Sequence, residues 1–187
     1  MDLKGTRTEA NLKAAFTGES MARNKYLFFA QKAKSENLPE IADLFERMAQ
    51  NEGIHGKLLY QHWKGVGTSS ENLQDAIQGE YTEWSNMYPE FAQIAREEGF
   101  DDVGVLFDNI AKIEKDHEYR FLIALTQLNK GNKKADVERQ PETVQTVSVP
   151  GYRCMFCGAT YETRPDVCSV CEAIGSFEEV TIQKQQA

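Results

Sequence analysis

Two Glu-x-x-His units carry the chemistry of this sequence. Glu52 and His55 stand three residues apart, and Glu114 and His117 repeat the arrangement. On a helix that spacing puts carboxylate and imidazole on one face. Glu19 and Glu80 are lone carboxylates in the helical segments that precede the two units. A Glu from each of two helices, with Glu-x-x-His from each of two others, is the donor set of di-iron and di-manganese carboxylate sites in bundle cores. Carboxylate oxygens with imidazole suit iron or manganese, and bridging carboxylates hold two ions close together. Burying so many carboxylates without a metal would be very costly. Glu83, three residues past Glu80, is a surplus carboxylate that could compete for one metal. Tyr26 and Tyr88 could donate hydrogen bonds to ligating carboxylates or to a bound oxygen species. His62, seven residues from His55, stands outside the pattern and is expected to pack or to touch solvent.

A second chemistry sits at the other end of the chain. All four cysteines lie in the last 34 residues, as Cys154/Cys157 and Cys168/Cys171. Met1 to Thr8 carry no apolar signal core. In such a chain paired Cys-x-x-Cys units are metal knuckles before they are disulfides. Gly158 eases the first turn by allowing a positive φ. Four thiolates bind tetrahedral zinc or a single iron, and spacing alone does not choose between them.

The elements that must position these groups are legible too. From Thr8 to about Lys130 the chain is rich in Ala, Leu, Glu, Lys and Gln. Thr6 or Thr8 can cap a first helix running to about Glu36. Pro39 suits the start of a second, reaching about Lys64. Ser70 caps a third that ends at Gly99, and Asp101 caps a fourth that reaches about Asn129. Four helices with short connections predict an antiparallel bundle. Gly131 to Val149 is a polar linker with a strand over Val144 to Val149 at its end. From Gly151 onward Gly, Pro and Cys dominate, with one alternating run over Glu178 to Ile182. So small a module needs a metal to hold it. The division is 1–131 for the helical domain, 132–149 for the linker and 150–187 for the metal module.

The helical part contains an internal repeat. Tyr26 to Gln31 matches Tyr88 to Gln93 at an offset of 62, which also maps Phe45 to Phe107, Glu52 to Glu114 and His55 to His117. The bundle therefore reads as a duplicated helical hairpin. Glu19 maps to Glu80 at an offset of 61, so the third helix carries one extra residue between Glu80 and Tyr88. A single insertion in a helix is absorbed as a π-bulge, and a π-type turn is predicted there.

Composition narrows the function. Apolar residues make up 41% of the 187-residue chain, which is ordinary for a globular protein. Apolar runs such as Tyr26–Ala30 are too short to span a bilayer, and a cytoplasmic protein is expected. With 21 basic against 29 acidic residues, no basic patch favours nucleic acid or an anionic membrane.

Taken together, these motifs resemble the rubrerythrins: Glu19 in T-G-E-S, Glu52 with His55, Glu80 and Glu83 in G-E-Y-T-E-W, M-Y-P-E-F around Tyr88, and Glu114 with His117. The resemblance covers nearly the whole chain. It implies a mainly α fold, a ferritin-like four-helix bundle followed by a small rubredoxin-like β module. It implies a non-haem di-iron site in the bundle and an Fe(Cys)4 centre on Cys154, Cys157, Cys168 and Cys171. It further implies reduction of hydrogen peroxide to water with electrons drawn from NAD(P)H through partner redox proteins, and head-to-tail pairing of subunits as a homodimer or higher homo-oligomer. By the same resemblance Glu52 and Glu114 would bridge the irons, Glu19 and Glu80 would be terminal ligands, and His117 would hold one iron. Glu83 and His55 would alternate on the other iron. The tail departs from the family's usual pattern: ten residues separate Cys157 from Cys168, Ser169 replaces a proline and Glu172 replaces a glycine. Those changes keep zinc open as the tail metal. Two other functions compete with the peroxidase: an iron-handling ferroxidase, and a non-enzymatic zinc ribbon that binds a partner.

Overall fold

The structure is a computed structural model, and it describes residues 2–131 and 146–185. The region 132–145, which holds most of the expected linker and the start of its strand, lies outside the described residues. The chain is mainly helical and divides into two compact units, Met1–Thr68 and Ser69–Ala187.

The first unit is a helical hairpin of α1 (Arg7–Ser35) and α2 (Pro39–Trp63). Thr6 caps α1: its Oγ1 accepts from the Glu9 N–H at 3.1 Å, and the Glu9 carboxylate reaches back to the Gly5 N–H. Asn37 turns the chain in the left-handed region, at φ 57°, and Pro39 opens α2 where a missing N–H costs nothing. The buried positions are small, Ala30 and Ala33 on α1 and Ala42, Ala49 and Gly56 on α2, so the two helices approach closely.

The second unit starts with α3 (Ser69–Thr82), followed by a π-turn (Glu83–Met87) and then α4 (Tyr88–Glu97). The predicted π-type turn is therefore present: the Tyr88 N–H bonds to the Glu83 carbonyl, five residues back. Gly99 reverses the chain at φ 86°, and α5 (Asp101–Gly131) packs against both α3 and α4. Ser69 and Asp101 are first helical residues, so the third helix begins one residue before its expected cap and Asp101 is inside its helix. Boundaries of this kind shift by a residue because terminal turns are weakly held.

The duplication extends to the packing. Tyr26, Phe29 and Phe45 form an aromatic trio in the first hairpin, and Tyr88, Phe91 and Phe107 form the same trio in the second. Lys34 pairs with Glu46, and at the same offset Arg96 pairs with Asp108. Buried Ala92 and Ala95 answer Ala30 and Ala33. Gly104 answers Ala42, and a Cβ there would lie 3.2 Å from the Ala92 carbonyl oxygen. No helix among the described residues is long and apolar enough to cross a membrane.

The tail is a three-stranded antiparallel sheet of β1 (Thr146–Cys154), β2 (Thr160–Tyr161) and β3 (Phe177–Gln185), in the order β2-β1-β3. β1 extends five residues past the expected strand end because it pairs with β3 as far as Cys154 and Phe177. Both knuckles make the same turn. Cys154 N–H bonds to the Ala159 carbonyl, and Gly158 N–H to that of Cys154; Cys168 N–H bonds to the Ala173 carbonyl, and Glu172 N–H to that of Cys168. The second turn thus survives the loss of its usual glycine, but Glu172 must sit at φ 60°, beside Gly158 at φ 81° in the first. That conformation strains any residue with a Cβ. Glu172→Gly is expected to stabilise the metal-loaded tail by up to about 1 kcal/mol, net of glycine's own entropy cost. Urea titration followed through the tail's metal–thiolate absorption checks this; a lowered midpoint would show that the Glu172 side chain contributes more than its backbone costs.

Candidate metal centres

Three clusters of donor atoms stand among the described residues: Glu19, Glu52 and His55; Glu80, Glu114 and His117; and the four cysteines. Within each cluster the donor atoms all lie within 4.8 Å of one another.

The two carboxylate–histidine clusters have matching geometry. In the first hairpin His55 Nδ1 lies 2.8 Å from Glu52 Oε2 and 3.9 Å from Glu19 Oε1. In the second, His117 Nδ1 lies 2.6 Å from Glu114 Oε2 and 3.8 Å from Glu80 Oε2. Helix periodicity alone brings each Glu onto its His, and packing of the paired helix adds the lone carboxylate. Glu83, in the π-turn, stands beside the second cluster and interacts electrostatically with Glu80 and His117. His62 belongs to none of the three clusters.

Crowding of the carboxylates raises their proton affinity. In Glu19 a hydrogen bond to Glu52, then burial and the Glu52 charge, push the carboxyl up. In Glu80 burial acts first, then the hydrogen bond and charge of Glu114. In Glu83 burial acts first and the Glu80 charge second. An acid raised this way binds more protons folded than unfolded, so its contribution to stability falls as pH rises. The contribution is full below the ordinary value of 4.5 and is lost as pH climbs through the raised one. Metal-free protein carrying Glu80→Gln should therefore melt higher than wild type at pH 7, and the advantage should shrink toward pH 4. Thermal melts across that range check it; a lower melting point at pH 7 would mean that Glu80 is not under electrostatic strain. A bound cation relieves the same strain, so the donor chemistry fits iron held by oxygen and imidazole.

The four cysteines are free thiols. Cys154 Sγ lies 3.6 Å from Cys171 Sγ, and Cys157 Sγ lies 3.6 Å from Cys168 Sγ. Metal–sulfur bonds of about 2.3 Å give a tetrahedral edge of about 3.8 Å, so the cage is already near the size a metal requires. Burial pushes the Cys157 thiol well up. Burial also works to raise Cys168, but hydrogen bonds from the Tyr161 hydroxyl and the N–H groups of Cys171 and Val170 outweigh it and bring Cys168 down to about 6.

The tail cage packs directly on α5. Ile113, 7% exposed, shares one apolar cluster with Cys154, Ala159 and Cys168. Arg153 Nη2 reaches Asp116 Oδ2 at 3.3 Å, while its Nη1 reaches Glu178 on β3 at 3.4 Å. Gly158 faces His117: a Cβ there would lie 3.0 Å from His117 Nε2 and 3.2 Å from Ile113 Cγ2. His117 therefore presents Nδ1 to the carboxylates and Nε2 to the first knuckle. Trp84 Nε1 in the π-turn donates to Glu118 at 2.6 Å and ties that turn to α5. Sequence reading identified none of Ile113, Asp116 or Arg153. They are three-dimensional neighbours of the cysteines with no spacing rule to mark them.

The rubrerythrin family model matches residues 10–125. The chain is 36% identical to rubrerythrin from Porphyromonas gingivalis over 184 residues, covering 90% of this chain and 87% of that protein. It is 34% identical to rubrerythrin from Nitratidesulfovibrio vulgaris over 184 residues, covering 90% of this chain and 91% of that protein. A solved structure of nigerythrin in a partially reduced state aligns over 96% of this chain and 92% of that one, with 28% identity and a TM-score of 0.39. The chain belongs to the rubrerythrin family, oxidoreductases that join di-iron carboxylate–histidine ligands to a rubredoxin-like cysteine module.

Proposed function

We propose that this chain is a non-haem di-iron peroxidase that reduces hydrogen peroxide to water through its own rubredoxin-like centre. Helical residues 1–131 form the di-iron domain in this reading, and residues 150–187 form the electron relay. The balance is H2O2 plus two electrons and two protons giving two H2O. Two bound irons would supply the two electrons that break the O–O bond, one from each. Glu52 and Glu114 would be the carboxylates shared by the irons, Glu19 and Glu80 would each hold one, and His117 would be the imidazole of one iron. Glu83 and His55 would be alternates on the other. Tyr26 and Tyr88 would donate hydrogen bonds to the ligands or to the oxygen substrate. Burial and then the charges of Glu83, Glu114 and Glu80 raise the Tyr88 phenol above its ordinary value, so it stays protonated and able to donate at neutral pH.

The observation that carries this reading is the seat of the tail on α5, with Gly158 against Nε2 of the histidine whose Nδ1 meets the carboxylates. An electron held on the four thiolates then has a packed path to the second cluster. Iron storage needs no such relay. The electrons come one at a time from an NAD(P)H-dependent reductase or another redox donor protein, and the enzyme works in the cytoplasm as a homodimer or larger homo-oligomer.

The test is an anaerobic optical titration. The fully reduced chain receives one equivalent of H2O2, and the red ferric–thiolate absorption of the tail is followed. Rapid return of that colour, slowed in Glu52→Ala, is expected. A tail that stays bleached or never colours would overturn the relay and move iron handling or a zinc-bound structural role ahead.

A further inference from the structure

We infer that Tyr161 sets the reduction potential of the tail centre by donating its phenol hydrogen to Cys168. The inference rests on the reading that the tail takes a redox metal, and on four observations beside the cage. Tyr161 Oη lies 3.0 Å from Cys168 Sγ. The Ser169 N–H donates to the same Oη at 3.1 Å, and Ser169 Oγ lies 3.2 Å away. Cys168 has no exposed surface at all. The Tyr161 ring is fixed edge-on against Phe177, with centroids 5.8 Å apart.

The direction of the bond follows from the chemistry. A metal-bound thiolate carries no proton, so the hydrogen between Oη and Sγ is the phenol's. Ser169 supplies the other half of the arrangement. Its N–H occupies a lone pair on Oη, which polarises the phenol and leaves its hydrogen for sulfur. Proline at position 169 would have no N–H to give. The residue that departs from the family's usual pattern is thus the one that orients the phenol. The backbone of Tyr161 cannot drift, since it pairs with Tyr152 on β1 and its carbonyl oxygen would stand 2.7 Å from any Cβ at position 151.

One-electron reduction adds a negative charge to the four-thiolate centre, and a hydrogen bond to sulfur stabilises the more negative state. The sulfur end of that bond is buried, which limits its screening by solvent. Tyr161 therefore raises the potential and makes the tail easier to reduce by its donor. A charge-assisted bond of this kind is worth about a factor of ten in the reduction equilibrium, or about 59 mV for a one-electron couple.

The experiment is an optical redox titration of the full chain with iron in the tail, in wild type, Tyr161→Phe and Ser169→Ala. Tyr161→Phe keeps the ring on Phe177 and removes only the hydroxyl. Its midpoint is expected to fall by about 59 mV, and its sulfur-to-metal charge-transfer band should move to lower energy. Ser169→Ala retains the N–H and should shift the midpoint far less. Placing 3-fluorotyrosine at 161, a stronger donor of the same shape, should move the midpoint upward, which a merely structural role would not do. The band shift is also read in the cobalt(II)-substituted chain, which reports on Tyr161 even if the iron reading fails. Unchanged midpoints with an unchanged band, or shifts of the same sign in the phenylalanine and fluorotyrosine chains, would overturn the assignment.

Discussion

Glu114→Ala should lower peroxide turnover by at least about a hundredfold, since loss of a partner that merely orients a ligand already costs up to that much. Glu114 lies 2.6 Å from His117 Nδ1, and its side chain is 15% exposed. Its removal takes away a donor oxygen, the group that aligns the imidazole, and a negative charge that pushes the Glu80 carboxyl up. The four-thiolate cage should be retained, because all four of its ligands belong to the tail and the tail stays seated on α5 through Ile113 and the Arg153–Asp116 pair. The expected signature is therefore a split: a tail that still reduces and colours normally, and a chain that no longer returns those electrons to peroxide. Glu52→Ala should give the same split, since Glu52 bears the same relation to His55 in the other hairpin. His62→Ala, outside every donor cluster, should turn over as wild type does. Stopped-flow mixing of the reduced chains with H2O2 reads all of these. Wild-type turnover in Glu114→Ala would remove the carboxylate clusters from the reaction.

The clusters of candidate metal donors were legible because their spacing is a property of single elements. Glu and His three apart must share a helix face, and Cys-x-x-Cys must make a knuckle, whatever the tertiary structure does. The duplication was legible for the same reason, and even its flaw was: the slip from 62 to 61 between the tyrosine and glutamate pairs located the π-turn now seen at Glu83–Met87. Repeated packing followed from it, as in the two Tyr-Phe-Phe trios. What sequence could not reveal is contact between segments far apart in the chain. Arg153 finds Asp116 across 37 positions, and Gly158 finds His117 across 41. No periodicity links them. Ser169 was visible only as a departure from a pattern, and its use became plain once Tyr161 was seen beside it. Glu172 was likewise visible only as a departure from a pattern, and the turn forms with it: the Glu172 N–H bonds to the Cys168 carbonyl against a backbone strain of about 1 to 2 kcal/mol.

Removal of the tail metal should unfold residues 146–185 and leave the helices standing. The sheet has too little core to hold itself. Among the described residues its fully buried side chains are Cys154 and Cys168; Ala159 and, from α5, Ile113 complete the buried cluster, and Tyr161, Val170, Ala173 and Phe177 pack on it only partly buried. Sulfurs 3.6 Å apart with no metal between them are weak partners, and burial works against the thiolates of Cys157, Cys168 and Cys171. A bound metal contributes about 10 kcal/mol or more to a small cage of this type, more than so small a sheet can supply by itself. Hydrogen exchange of the amides of Tyr152, Cys154 and Cys168 should thus be slow in the loaded chain and fast after chelation, while far-ultraviolet helical signal persists. The same treatment should silence the relay even with iron retained by the carboxylates, because Gly158 then leaves His117 Nε2 and Ile113 is uncovered. Protected tail amides in the chelated chain would show that β1, β3 and the Arg153–Asp116 pair suffice, and that the metal is present for its electrons alone.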